Sequence, residues 1–302
     1  MQWSNHGTFI EIYPPKEFNF DECLVFLGRS QEEVLHQIRD ELLYKLIKVN
    51  GELILCRIGF AQHVIHVDFP SQPLSITSHE EIASYIWEWF DLDQDLSLFY
   101  EVAKQDKILQ QIHKRYYGLR MICIPDLFEA LTWAIMGQQI NLTFAYKLKQ
   151  RFVEHFGECL TFEGNTFWLY PTYERIATLS VEELITLQFT VRKAEYVIGV
   201  AKAMTNGELT KEMLLQEPTY EQAKKSLLGI RGVGPWTADY ALMKCLHQSS
   251  AFPIADVGLH NALKVPLGLN RKPTIEEIKD IATNWQGWQA YATFYLWRSL
   301  YE

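Results

Sequence analysis

The chain has 302 residues, of which 48% are apolar and 22% charged, and that composition excludes an intrinsically disordered protein. Its formal net charge of -9, taken whole, argues against a phosphate-rich partner, because Lys and Arg patches supply most non-specific affinity for nucleic acid. The deficit is local, however: residues 1–110 carry 8 Lys+Arg against 18 Asp+Glu, whereas residues 111–302 carry 20 against 19. Two domains with different surfaces are therefore expected, 1–110 and 111–302.

Cys23, Cys56, Cys123, Cys159 and Cys245 are odd in number and widely spaced, with no CxxC among them. They carry no disulfide, zinc or iron–sulfur signature and read as reduced core thiols. No apolar run is long enough to span a bilayer. The N-terminal MQWSNHGTFIEIY lacks the basic and apolar regions of a secretory signal, so a cytoplasmic protein is expected.

TFIEIY (8–13) alternates apolar and polar residues, as a half-buried strand does. The next stretch, Asp21 to Leu43, reads as helical with a break near Gly28. KLIKVNGELILCRIG then predicts a hairpin, because Asn50-Gly51 suits a type I′ turn, and QHVIHVDF predicts a further strand. His79 to Phe90 is an amphipathic helix by its spacing, and the acidic DLDQDL (91–96) reads as a linker. Asp126 with Glu129 has capping-box spacing ahead of LFEALTWAIMGQQ. INLTFAYKLKQRFVEHFG is a second helix, ended by Gly157, and TFEGNTFWLYPT a short hairpin. Helical periodicity fills nearly all the rest. The expected class is α+β: a small N-terminal antiparallel sheet domain, then a mainly α-helical region.

The most informative segment is 219–245, opening TYEQAKKSLLGIRGVGPWTADY. Thr219 and Gln222 have capping-box spacing; Gly229, Gly232 and Gly234 crowd six residues; Pro235 suits the first turn of a new helix. Two helices joined by such a hairpin leave backbone N–H groups at a helix N-terminus, a geometry that suits phosphate oxygens. Gly232 and Gly234 lack a Cβ that would hold a DNA backbone away. Such contacts position a duplex without reading its sequence.

The string L-x-G-I-R-G-V-G-P-W-T-A closely resembles the helix-hairpin-helix of the DNA glycosylase superfamily, and in particular the family of DNA-3-methyladenine glycosylase II, which excises alkylated bases. PDLFEALTWAIMGQQINLTFAYKLKQRFVEHFG (125–157), FTVRKAEYVIGVAKAM (189–204), FPIADVGLHNAL (252–263) and WQAYATFYLW (288–297) are similar to further blocks of that family. The resemblance covers residues 85–302 well and residues 1–84 only in the order of elements.

This resemblance implies the site residues. Asp256, 22 residues after Gly234, matches the superfamily's obligatory aspartate, a carboxylate able to stabilise positive charge on the deoxyribose and to orient or deprotonate the attacking water. Its place before GLHNALKV also suits a helix N-cap. Trp236 stands where lyase-competent members carry a lysine nucleophile, so water attack without strand nicking is implied. Trp236, Tyr240 and Trp297 match the family's aromatic pocket for an extruded cationic base, each stacked ring contributing ~1–2 kcal/mol of cation–π attraction when desolvated. Trp133, Trp168, Trp285 and Trp288 read instead as core or surface aromatics. Gln139, beside Gln138, matches the residue that wedges into the gap left by the flipped base, and both glutamines are expected at the DNA interface. Arg192-Lys193 and Lys224-Lys225 read as solvated surface pairs, and His260 as a surface or backbone-bonded histidine. No cofactor is required; the carbonyls of Leu228, Ile230 and Val233 bind a monovalent cation, Na or K, in relatives. The expected partner is double-stranded DNA with alkylated bases, met by a monomer with no membrane association.

Two other readings stand beside the alkylbase glycosylase. An oxidised-purine glycosylase of the same superfamily is disfavoured by Trp236 in place of lysine. A non-catalytic helix-hairpin-helix DNA-binding module would need neither Asp256 nor the aromatic trio.

Overall fold

The computed structural model describes residues 1–71 and 76–301. Its first part is a six-stranded sheet, β1 (Trp3–Asn5), β2 (Phe9–Ile12), β3 (His36–Arg39), β4 (Leu42–Val49), β5 (Glu52–Ala61) and β6 (Val64–Asp68), antiparallel throughout in the order β1-β2-β6-β5-β4-β3. Alternating side chains of the central strands (Ile10, Ile12, Ile58, Ile65, Val67) are wholly buried, against helices α1 (Phe20–Leu27) and α2 (Ile76–Trp89).

The expected hairpin turns through Asn50 (φ 52°) and Gly51 (φ 84°), as a type I′ turn requires. The helix expected over 21–43 ends at Leu27, and its second half is β3 and the start of β4. Pairing decides this: β3 joins β4 through Asp40 and Glu41, both at positive φ, so the ladder overrides local helical periodicity.

The acidic stretch 91–96 is not a loose linker. Asp91, Leu92 and Leu96 are buried, and the fully buried Arg120 donates from Nη2 to the carbonyls of Asp91 (2.8 Å) and Gln94 (2.6 Å). Tyr291 donates its hydroxyl to the Asp91 carboxylate.

The second part is helical: α3 (Ser97–Gln105), α4 (Leu109–Arg115), α5 (Leu127–Gly137), α6 (Leu142–Phe156), α7 (Tyr173–Ala177), α8 (Val181–Thr186), α9 (Val191–Thr205), α10 (Lys211–Leu215), α11 (Tyr220–Leu228), α12 (Pro235–Lys244), α13 (Val257–Lys264), α14 (Ile275–Ala282) and α15 (Gln289–Arg298). A two-stranded hairpin, β7 (Cys159–Phe162) and β8 (Asn165–Trp168), lies between α6 and α7. One hydrophobic cluster runs through both parts; Phe26 of α1 meets Phe294 of α15 at 4.5 Å between ring centroids. The two expected capping boxes are half-made. Asp126 accepts from the Glu129 amide and Thr219 from the Gln222 amide. Glu129 then turns to a cavity shared with Lys45 and Lys149, and the Gln222 carbonyl accepts from the Thr219 hydroxyl. Four of the five cysteines are buried, but Cys159 on β7 is exposed and is not a core thiol.

Candidate active site

The site begins with α11 and α12. Lys224 pairs with the buried carboxylate of Asp239 at 2.8 Å, and Tyr220 donates its hydroxyl to the same group, so the two helices are fastened from inside. Lys224 is therefore an internal tie rather than a solvated surface charge. Lys193, also read as surface, is buried and donates to the Met136 carbonyl at 2.7 Å, capping the end of α5.

The turn between α11 and α12 needs glycine for a specific reason. Gly232 sits at φ +95°, and a Cβ there would lie 2.3 Å from Cγ of Tyr196 on α9. At Gly234 a Cβ would meet nothing within 4 Å, and the backbone is extended. Gly232 is thus held by packing, and Gly234 leaves the outward face of the turn open. Gln138, at the end of α5, donates to the Gly232 carbonyl and the Thr237 hydroxyl, both at 3.0 Å. Its amide group locks the hairpin to α5. Gln139 beside it is exposed, at φ 56°.

Pro235 opens α12, and its first turn presents Trp236 and, four residues on, Tyr240 on one face. Their ring centroids are 5.5 Å apart, and Trp297 of α15 lies 6.3 Å from Tyr240. Asp256 is the N-cap of α13: Oδ1 accepts from the Leu259 amide at 2.7 Å. The same oxygen accepts from Trp297 Nε1 at 2.7 Å, and Oδ2 accepts from Trp236 Nε1 at 3.1 Å. Capping and site geometry are one arrangement here, so the two sequence readings of Asp256 do not compete. His260 is bonded to the backbone, its Nε2 paired with the Ile254 carbonyl at 2.8 Å.

Two contributors escaped the sequence reading. Gly258 leaves room for Trp297, since a Cβ on it would lie 3.2 Å from the indole and 2.9 Å from Asp256 Oδ1. Trp133, read as ordinary core, packs in the same cluster as Tyr240, Trp236 and Trp297, 4.8 Å from the Tyr146 ring. No local pattern flags either residue, because both are defined by neighbours distant in sequence.

The glycine hairpin thus opens the helix that carries Trp236, and the half-buried carboxylate of Asp256 is held by two indole N–H groups. The chain belongs to the HhH-GPD superfamily of base excision DNA repair proteins, whose family model matches residues 132–287. Residues 14–131 match the N-terminal domain of 8-oxoguanine DNA glycosylase. The chain is 45% identical to a DNA-3-methyladenine glycosylase of Bacillus subtilis over the full length of both. Its fold is similar to that of a 3-methyladenine DNA glycosylase from Archaeoglobus fulgidus (TM-score 0.81, 23% identity, 95% and 97% of the two chains covered). It is also similar to that of an 8-oxoguanine glycosylase/lyase from Clostridium acetobutylicum (TM-score 0.77, 17% identity, 99% and 97% covered). Among the described residues no helix is long and apolar enough to cross a membrane.

Proposed function

We propose that the protein is a monofunctional alkylbase DNA glycosylase of base excision repair, acting in the cytoplasm as a monomer on double-stranded DNA. The single observation that carries this reading is the carboxylate of Asp256 suspended between the indoles of Trp236 and Trp297, beside Tyr240. The 45% identity to the B. subtilis enzyme supports the same substrate class.

The chemistry follows from the geometry. An extruded base stacks against Trp236, Tyr240 and Trp297, whose electron-rich faces favour a cationic ring. As the N-glycosidic bond breaks, its electron pair leaves with the base, and an alkylated cationic purine departs neutral. The deoxyribose gains positive charge at C1′, which the Asp256 carboxylate stabilises. Three N–H donors fix that carboxylate, so it need not reorganise as the charge appears. Water then attacks C1′ and gives up its proton through Asp256, leaving an abasic site. Trp236 has no amine with which to form a Schiff base, so the strand stays unbroken. That feature also weighs against the oxidised-purine glycosylase/lyase reading despite the match of residues 14–131.

The open face of the turn at Gly234, with the N-terminal amides of α12, suits a phosphate, and exposed Gln139 is the wedge candidate. The carbonyls of Leu228, Ile230 and Val233 would supply an oxygen-only donor set to Na or K. The Ile230 oxygen already accepts the Val233 amide at 3.0 Å and keeps a second lone pair for a cation.

Mass spectrometry of bases released from methylated DNA tests this function: 3-methyladenine and 7-methylguanine are expected, and no released base would overturn it.

A further inference from the structure

The sheet domain brings the side chain of Arg29 to the aromatic cluster. Arg29 follows α1, and its Nη1 donates to the Phe26 carbonyl at 2.7 Å. The guanidinium lies 4.0 Å over the Phe26 ring and 5.6 Å from the centroid of Tyr146, which packs in one cluster with Tyr240, Trp133, Trp236 and Trp297. Burial pushes the phenols of Tyr146, Tyr240 and Tyr301 up, and the positive charge of Arg29 acts on all three in the opposite direction. No carboxylate pairs with Arg29 among the described residues. With Tyr240, Trp133 and Lys244 it lines a cavity of about 50 Å³, room for an exocyclic group and a bridging water. Lys244, 5.3 Å from the same Phe26 ring, is pushed by burial down to about 7, and burial lowers Lys45 as well; Lys149 on the same cavity, 4.9 Å from the Trp133 ring, is neutralised by Glu33 at 2.5 Å, so Arg29 is the cation here that has no carboxylate partner among the described residues.

A fixed cation against a pocket meant for cationic bases has a definite consequence. It repels a charged base through a medium of low dielectric, and it offers paired N–H donors to any base presenting a carbonyl oxygen or an unprotonated ring nitrogen. We infer that Arg29 is a specificity-determining residue of the base pocket, supplied by the N-terminal sheet domain, that shifts selection toward neutral lesion bases with acceptor edges and away from cationic ones. This inference rests on the glycosylase reading and assigns the sheet domain a part in choosing the substrate.

The test uses two duplexes, one carrying hypoxanthine and one carrying 7-methylguanine. Both bases present a purine carbonyl, and they differ chiefly in charge. Single-turnover release is measured for the wild type, Arg29→Ala and Arg29→Gln. The wild type is expected to release hypoxanthine, and Arg29→Ala to move the ratio of the two rates about tenfold or more toward 7-methylguanine. Arg29→Gln retains a donor without the charge; it is expected to gain 7-methylguanine release equally while recovering part of the hypoxanthine rate. Because the readout is a ratio within one preparation, partial loss of folded protein does not move it. A ratio within twofold of wild type in Arg29→Ala, or no hypoxanthine release by the wild type, would overturn the role of Arg29. The wider functional reading fails separately, if neither of these bases nor 3-methyladenine is released at all.

Discussion

Trp297 donates its indole N–H to Oδ1 of Asp256 at 2.7 Å, although 41 residues separate the two in the chain. Trp236 reaches the other carboxylate oxygen from a different helix. The two rings therefore hold the carboxylate through both its oxygens and set the direction in which it faces. Gly258 makes this possible by leaving the indole of Trp297 space beside α13.

Asp256→Asn should abolish base release while leaving DNA binding and the fold largely intact. Asparagine caps a helix about as well as aspartate, but one indole N–H must then face an amide N–H. A loss of release of about 100-fold or more is expected, with unfolding free energy lowered by about 1–3 kcal/mol. Release near the wild-type rate would show that another group carries the chemistry.

Trp297→Phe keeps an aromatic wall and removes the donor to Asp256. Its kcat is expected to fall about tenfold, with base affinity changed less, because the lost hydrogen bond orients the carboxylate. Equal losses in kcat and in affinity would assign Trp297 to stacking alone.

Borohydride added to the enzyme on a lesion duplex should trap no covalent protein–DNA adduct, since Trp236 offers no amine. Denaturing gel electrophoresis reads the result directly; a trapped band would mean that a lysine elsewhere reaches C1′.

Gly232→Ala and Gly234→Ala should separate folding from binding. A methyl at Gly232 meets the Tyr196 ring at positive φ, costing about 2–3 kcal/mol of stability. At Gly234 the methyl meets no protein atom. The melting temperature should therefore hold while affinity for DNA drops. Unchanged affinity in Gly234→Ala would remove that face of the hairpin from the DNA interface.

His247 should make stability depend on pH. Burial by itself would push its imidazole down. The Asp91 carboxylate 2.7 Å from Nδ1, with Cys123 and Glu88 beside the ring, instead lifts it to about 12. A histidine raised on folding contributes stability that is complete below its unfolded value near about 6.5 and is lost as pH climbs toward the folded one. The stability gap between wild type and His247→Gln should be roughly 3 kcal/mol at about pH 6 and should shrink toward about pH 9. A gap that widens with pH would mean that the imidazole is neutral in the folded protein.

What was legible in the sequence depended on whether the chemistry was local. Among the described residues four two-residue turns place both residues at positive φ: Asp40-Glu41, Asn50-Gly51, Gln62-His63 and Glu163-Gly164. The glycine-bearing ones marked hairpins in advance, whereas Asp40-Glu41 carried no signal, and β3 was hidden behind a helical reading. The α11–α12 hairpin and Asp256 were legible because a motif fixes them within a short span. The inward turn of Lys193 and Lys224, the hold of Arg120 on residues 91–96, and the approach of Arg29 and Trp133 to the aromatic cluster depend on partners in other elements. Amphipathic spacing cannot distinguish a long cation that snorkels outward from one that caps a neighbouring helix.

Tyr196 gives the hairpin a second author. Its ring fills the space where a side chain at residue 232 would go, so the outer contour of the turn is cast against the inner surface of α9. Shape at the outer surface is then inherited from the interior, and a smaller ring at position 196 would loosen the turn at Gly232. Gly232 is consequently fixed by the aromatic ring beneath the turn, whereas no protein atom within 4 Å restricts a side chain at Gly234.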